Sequence, residues 1–265
     1  MGVWWLLLRK EWDDVFRNRI VLFSVVITPL LLVGVAAGSL LPIRGLQPGT
    51  GPGDPAEIRA LFGALCEALP SADCLAMYLV SMMMPVFLVL PTALPSAIAA
   101  YAIVGEKTER TLEPLLATPI TTVQLLGSKC LAAVIPAVGV TWAAATLYLG
   151  LVALMVSPRL AASVASPAWI AALVFLVPLL AGLSVLLATI VSSRSTDPRS
   201  AQQVAALVAV PVVGVIVAQS LGVMVVRPLV VIPAIAGLAA VDAVLAGVAV
   251  RLFERESILT RWTGL

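Results

Sequence analysis

The sequence predicts an all-α, polytopic membrane protein with six transmembrane helices. Three observations carry the prediction. Of 265 residues, 61% are hydrophobic and only 11% are charged, whereas an average soluble domain is about one-quarter charged. The mean hydropathy is +1.10, and a chain this apolar has too little polar area to cover itself in water. Finally, its apolar residues come in runs of roughly 20 or more, the length needed to cross a bilayer core.

The runs are 20–41, 76–104, 130–156, 168–191, 204–226 and 229–250. Five contain no Asp, Glu, Lys or Arg, and the last contains Asp242 alone. The second and third are long enough to tilt or to extend past the bilayer. Prolines fall inside the runs at Pro29, Pro85, Pro91, Pro95, Pro136, Pro178, Pro211 and Pro233. Buried bundles tolerate such prolines as kinks because neighbouring groups satisfy the carbonyls they free.

Positive residues orient the spans. With the N-terminus inside, twelve of the sixteen Lys and Arg lie on inner segments, and Arg44, Arg59, Arg159 and Arg227 lie outside. That bias predicts cytoplasmic termini and a cell-membrane location. Residues 1–19 mix Trp4, Trp5, Trp12 and Phe16 with charges. Leu8, Trp12 and Phe16 are spaced by four and share a helix face, as in an amphipathic helix lying in the inner interface. The apolar run there precedes the charges, the reverse of a secretory signal.

The outer loop, 42–75, opens with a turn-rich linker. Asp54 and Pro55 then form a helix start, and Ile58, Leu61, Phe62 and Leu65 repeat at helical spacing. This predicts a short amphipathic helix on the outer face. Cys66 and Cys74 flank its end and are a candidate disulfide, although spacing alone does not fix the geometry. Cys130 reads as a packing residue. Gly34 and Gly38 form a Gly-x-x-x-Gly pair, a candidate close-packing face.

Most chemistry is excluded. There is no histidine, hence no H-E-x-x-H metal site and no histidine shuttle. The three cysteines form no CxxC, which argues against zinc or an iron–sulfur cluster. No P-loop motif and no G-x-S-x-G occur, so the chain is expected not to be an enzyme and to bind no cofactor itself. A net charge of +2 offers no nucleic-acid surface. Asp242 is the one ionisable residue at membrane depth. It reads either as a substrate or cation contact in a pathway, or as a partner to a polar group on another helix.

One polar stretch interrupts the apolar chain: GEKTERTLEPLLATPI, residues 105–120. Glu113 precedes Pro114, which disfavours helix there, and Pro119 interrupts again. Thr121 and Gln124 then form a T-x-x-Q capping box leading into the third span. Leu112, Leu115 and Leu116 make an apolar face outside the lipid, rimmed by Glu109, Arg110 and Glu113. Such a face suits docking on a soluble partner. The alternative is an interfacial loop whose leucines dip into the membrane.

This stretch resembles the signature segment of type-2 ABC-transporter permeases, in the sodium-exporter and multidrug-exporter-like branch. The matching residues are Gly105, Glu106, Lys107, Thr111, Leu112, Glu113, Leu115, Leu116, Thr118, Pro119, Gly127 and Lys129. The opening RKEWDDVFRNRIVLFSVVITPLLL, with Pro29, is also similar to the family's interfacial helix and first span. Two departures stand out: Glu109-Arg110 runs into Thr111 without the glycine common in relatives, and the outer loop is small for a sodium exporter.

The resemblance implies a single permease domain over 1–265 with a short cytoplasmic coupling helix within 105–129. Glu106, Lys107, Arg110, Thr111, Leu112, Glu113, Leu115, Leu116, Thr118 and Pro119 would meet a separate ABC ATPase that binds ATP and magnesium. It also implies a second permease copy, identical or related, with the export pathway between the two. Two other readings remain at this point: a non-transporting membrane scaffold or assembly factor, and an ATP-independent carrier. A carrier would show repeats and several polar midplane groups, where this chain has Asp242.

Overall fold

The computed structural model describes residues 3–17, 19–41, 71–96, 98–99, 121–194, 198–220 and 228–252. Every regular element among them is helical. They are α1 (Val3–Arg17), α2 (Arg19–Gly38), α3 (Ser71–Met83) with a 3-10 turn Met84–Val89, α4 (Thr122–Met155), α5 (Pro158–Val164) and α6 (Pro167–Ala171). A π-helical segment, Ala172–Leu176, leads into α7 (Val177–Arg194), followed by α8 (Pro198–Ala206), α9 (Ala209–Ser220) and α10 (Pro228–Leu252). The outer-loop helix with Cys66, and most of the 105–120 stretch's surroundings, lie outside the described residues.

Six stretches are long and apolar enough to cross a membrane: Val21–Gly38, Ala76–Ser96, Val123–Met155, Pro167–Ser192, Gln202–Gln219 and Leu229–Leu252. They overlap all six expected runs; the second and fifth runs end beyond the described residues, and the third span reaches back to Val123, into the helix that the T-x-x-Q capping box was expected to start. At 34 residues and 1.5 Å per residue, α4 is about 50 Å long, roughly 20 Å more than a hydrocarbon core. It is also the hub. α1, α2 and α7 all pack along it, while α10 lies along α7 and α9 along the 3-10 turn. The core includes Val80, Phe87, Tyr148, Val152, Val177 and Ala181, with the Phe87 and Tyr148 rings 5.3 Å apart.

The prolines explain how the helices are tied together. A proline has no N–H, so the carbonyl four residues back loses its helical donor. In lipid that carbonyl needs another. Pro136 frees the Ala132 carbonyl, and Trp12 Nε1 of α1 donates to it at 3.2 Å. Pro85 frees the Ser81 carbonyl, and Gln219 Nε2 of α9 donates to it at 2.8 Å. Two others are repaired by tightening the turn. The Leu90 N–H bonds to the carbonyl of Phe87, which Pro91 had freed; Val210 N–H does the same for Leu207 ahead of Pro211.

The π segment follows the same logic. Val177 N–H reaches back five residues to the Ala172 carbonyl. The next bond in that register would come from residue 178, a proline, so the Leu173 carbonyl is left open. Trp142 Nε1 of α4 fills it at 2.7 Å. Trp142→Phe should therefore leave a carbonyl unmet and cost about 1–3 kcal/mol. The check is thermal melting in detergent. Trp142→Phe lowers Tm, and adding Pro178→Ala, which supplies an N–H again, recovers part of the loss.

The candidate close-packing face at Gly34 and Gly38 meets no neighbour among the described residues of the chain. A Cβ at either position would meet nothing within 4 Å. The close approaches occur at Gly127 and Gly182 instead.

Candidate functional site

The 105–120 stretch, with its ten candidate coupling residues, lies outside the described residues. The structure does describe how the chain leaves it. Thr121 is the N-cap of α4 with extended backbone. Its Oγ1 accepts from Gln124 N–H at 3.2 Å, and Thr121 N–H donates to Gln124 Oε1 at 3.0 Å. The capping box expected from T-x-x-Q is thus present in both directions. It fixes the first turn of a long helix at Thr121.

The first turns of α4 are held by α1. The Trp4 ring lies over Gly127, where an added Cβ would sit 2.8 Å from Cζ3 and Cη2. Glu11 and Lys129 form an ion pair at 3.0 Å, with 7% of each side chain exposed. Trp12 bonds the Ala132 carbonyl as above. Gly127 and Lys129 therefore have a local reason to be Gly and Lys: one leaves room for an indole, the other neutralises a buried carboxylate.

α1 is amphipathic in a way that spacing alone did not resolve. Its buried side runs through Leu7 and Glu11, with Leu8, Trp12 and Val15 half-buried beside them. Trp5, Leu6 and Phe16 remain exposed, and Trp5 stacks edge-on against Trp12 with centroids 6.2 Å apart. So Leu8, Trp12 and Phe16 do not all share one fate. Trp12 bonds α4, Leu8 is half-buried, and Phe16 is exposed.

A family model for ABC-2 family transporter proteins matches residues 5–230. The chain belongs to that family. It is a multi-pass membrane protein and the permease component of an ABC transporter. No curated protein matches it. The matched region starts in α1 and takes in α2 to α9, so the Glu11–Lys129 and Trp12–Ala132 contacts between α1 and α4 lie within it.

In this permease Asp242 sits on α10 against α7. Its Oδ2 lies 3.3 Å from where a Cβ on Gly182 would stand, so the glycine makes the room the carboxylate occupies. Its Oδ1 is buried with no hydrogen-bond partner among the described residues. Tyr148 Oη, Ser192 Oγ and Gln219 Oε1 share that condition, but only Asp242 among them is a carboxylate. Several buried hydroxyls are already engaged within their own helices: Thr92 with Val89, Thr141 with Ala137, Ser184 with Leu180. Asp242 thus keeps a free acceptor in mid-span, where an unmet polar group is costly. The other side of α10 is exposed at Leu229, Ile232, Val241, Val244 and Val248, while Val231 and Ala249 are buried.

Among the described residues no cluster of three His, Cys, Asp or Glu is placed to hold a metal. Cys130 is a free, half-buried thiol packed against the core. The side chain of Cys74, like Cys66, lies outside what the structure describes. The sequence reading missed the Glu11–Lys129 pair, since its partners lie 118 residues apart and Glu11 is one of three acids in α1.

Proposed function

We infer that this permease is driven by a separate ABC ATPase docked on residues 105–120, in the exporter branch its 105–129 motif resembles. The carrying observation is α4. It begins at a two-way capping box directly after that stretch and extends about 20 Å more than a bilayer core requires. A displacement at Glu106–Pro119 would enter a rigid rod that reaches the far side of the membrane. The bias of positive residues puts this end of α4, both termini and the apolar Leu112, Leu115 and Leu116 face in the cytoplasm, where an ATPase with bound ATP and magnesium would meet them. The exposed Trp5 and Phe16 side of α1 lies in the inner lipid interface.

The bare face of α10, with Gly34 and Gly38 on α2 free of neighbours, is available to a second permease copy, identical or related. The pathway would run between the copies, bordered by the α7–α10 seam in which the Asp242 carboxylate packs beside Gly182. The test is purification of the tagged chain in mild detergent. A stoichiometric P-loop ATPase is expected to co-purify, and Asp242→Asn is expected to keep it bound while lowering cargo-stimulated ATP hydrolysis. Purification without any ATPase would instead favour a scaffold or an ATP-independent carrier.

A further inference from the structure

Span three is weakest at Pro136, which lacks the N–H for the Ala132 carbonyl and crowds the turn before it. Three contacts from α1 fall just ahead of that step, and none is local in sequence. Trp4 covers Gly127. Glu11 pairs with Lys129 at 3.0 Å in a buried setting. Trp12 donates to the very carbonyl that the proline frees, at 3.2 Å. A pair of apolar residues would hold two helices together at least as well as a buried ion pair. The ion pair and the indole bond add a fixed register, which apolar contacts alone supply poorly.

We propose that α1 governs the Pro136 step of span three, with Glu11 and Trp12 as its positioning residues. While α1 grips the turns at Gly127, Lys129 and Ala132, α4 behaves as one rod from Thr121 to Met155. When α1 lets go, the helix yields at the proline and a push entering at Thr121 is absorbed there. The proposal rests on the coupling reading for its purpose, but the mechanical claim concerns α1 and α4 alone.

The test is a distance measurement on the full chain in lipid nanodiscs. Spin labels are placed at Val123→Cys and Leu147→Cys, both exposed, in a background where Cys66, Cys74 and Cys130 are replaced. At 1.5 Å per residue the sites lie about 36 Å apart, within the range of pulsed electron paramagnetic resonance. The parent should give one narrow distance. Trp12→Phe and Glu11→Gln should each broaden it or add a second, shorter one. Adding Pro136→Ala to Trp12→Phe should restore a narrow distance, because residue 136 then supplies the missing N–H. Combining Glu11→Lys with Lys129→Glu should restore it where Glu11→Lys alone does not.

Narrow, unchanged distances in both single variants overturn the proposal, as does a Trp12→Phe chain that Pro136→Ala fails to rescue. Because no ATPase is needed, the result is separable from the coupling reading. Broadening in a chain that binds no ATPase supports the α1 lock and removes only its proposed driver. Unchanged distances in a chain that does bind one overturn the lock and leave the coupling reading standing.

Discussion

Lys129→Met is expected to destabilise the permease by about 3–5 kcal/mol, since it leaves a carboxylate buried without its cation. Glu11 and Lys129 are 3.0 Å apart with 7% of each side chain exposed, so water cannot take over. Lys10 does lie 3.6 Å from Glu11, but its own side chain is 46% exposed, and an exposed, mobile cation is a weak substitute. For a chain of this size, the loss reads as a fall in Tm on the order of 10 °C. Removing both partners, Glu11→Leu with Lys129→Met, should recover most of it, because an apolar pair of similar volume is no worse than the ion pair. A melting series in detergent decides the matter. If the double variant is as unstable as the two single losses added together, the pair is not energetically coupled.

The second large effect is expected at the docking face. Leu115→Asp should reduce transport at least tenfold while the chain still inserts and keeps its size-exclusion profile. Leu115 lies outside every candidate span, so the substitution asks nothing of the bilayer. It places a charge among Leu112 and Leu116, at the centre of the apolar face proposed to meet the ATPase. Central apolar anchors of an interface typically cost 2 kcal/mol or more when lost, which is about thirtyfold in affinity. Replacing Glu113, a rim charge, or Glu106, in the charged run before the face, should act more mildly, as charges outside an apolar centre do. The measurement is transport and ATP hydrolysis in the same vesicles: hydrolysis without transport for the glutamate variants, loss of the bound ATPase for Leu115→Asp. Full transport by all three would mean the stretch has some other purpose.

The six spans were legible because composition and run length alone demand them; no partner residue needs to be known. The capping box at Thr121 was legible for the same reason, since both of its residues lie within one turn. What escaped were features that depend on a distant partner. The third span seemed to begin after Lys129, because a lysine normally marks a membrane boundary. Glu11, 118 residues away, cancels that charge, so the apolar span reaches back to Val123, into the helix that the capping box starts. The glycines show the same limit. Gly34 and Gly38 had the Gly-x-x-x-Gly spacing but meet no neighbour among the described residues, whereas Gly127 and Gly182 lack that spacing and each accommodate a specific side chain. The prolines announced that carbonyls would need donors; nothing in the pattern said these would be Trp12, Trp142 and Gln219. Asp242 was visible as an anomaly, and its place against Gly182 is what the structure added.

The three side chains that meet proline-freed carbonyls also set an order of events during synthesis. A bacterial or eukaryotic ribosome delivers the chain from its N-terminus. When span three arrives, Trp12 has already been made, and when span four arrives, Trp142 has too. Span two has no such advantage. Its Ser81 carbonyl is served by Gln219, 138 residues later, so at 5–20 residues per second it waits roughly 7–30 s for its donor. The first half of the bundle is therefore finished last, and a nascent chain halted before span five would hold its second helix in the membrane with an unmet carbonyl, open to quality control.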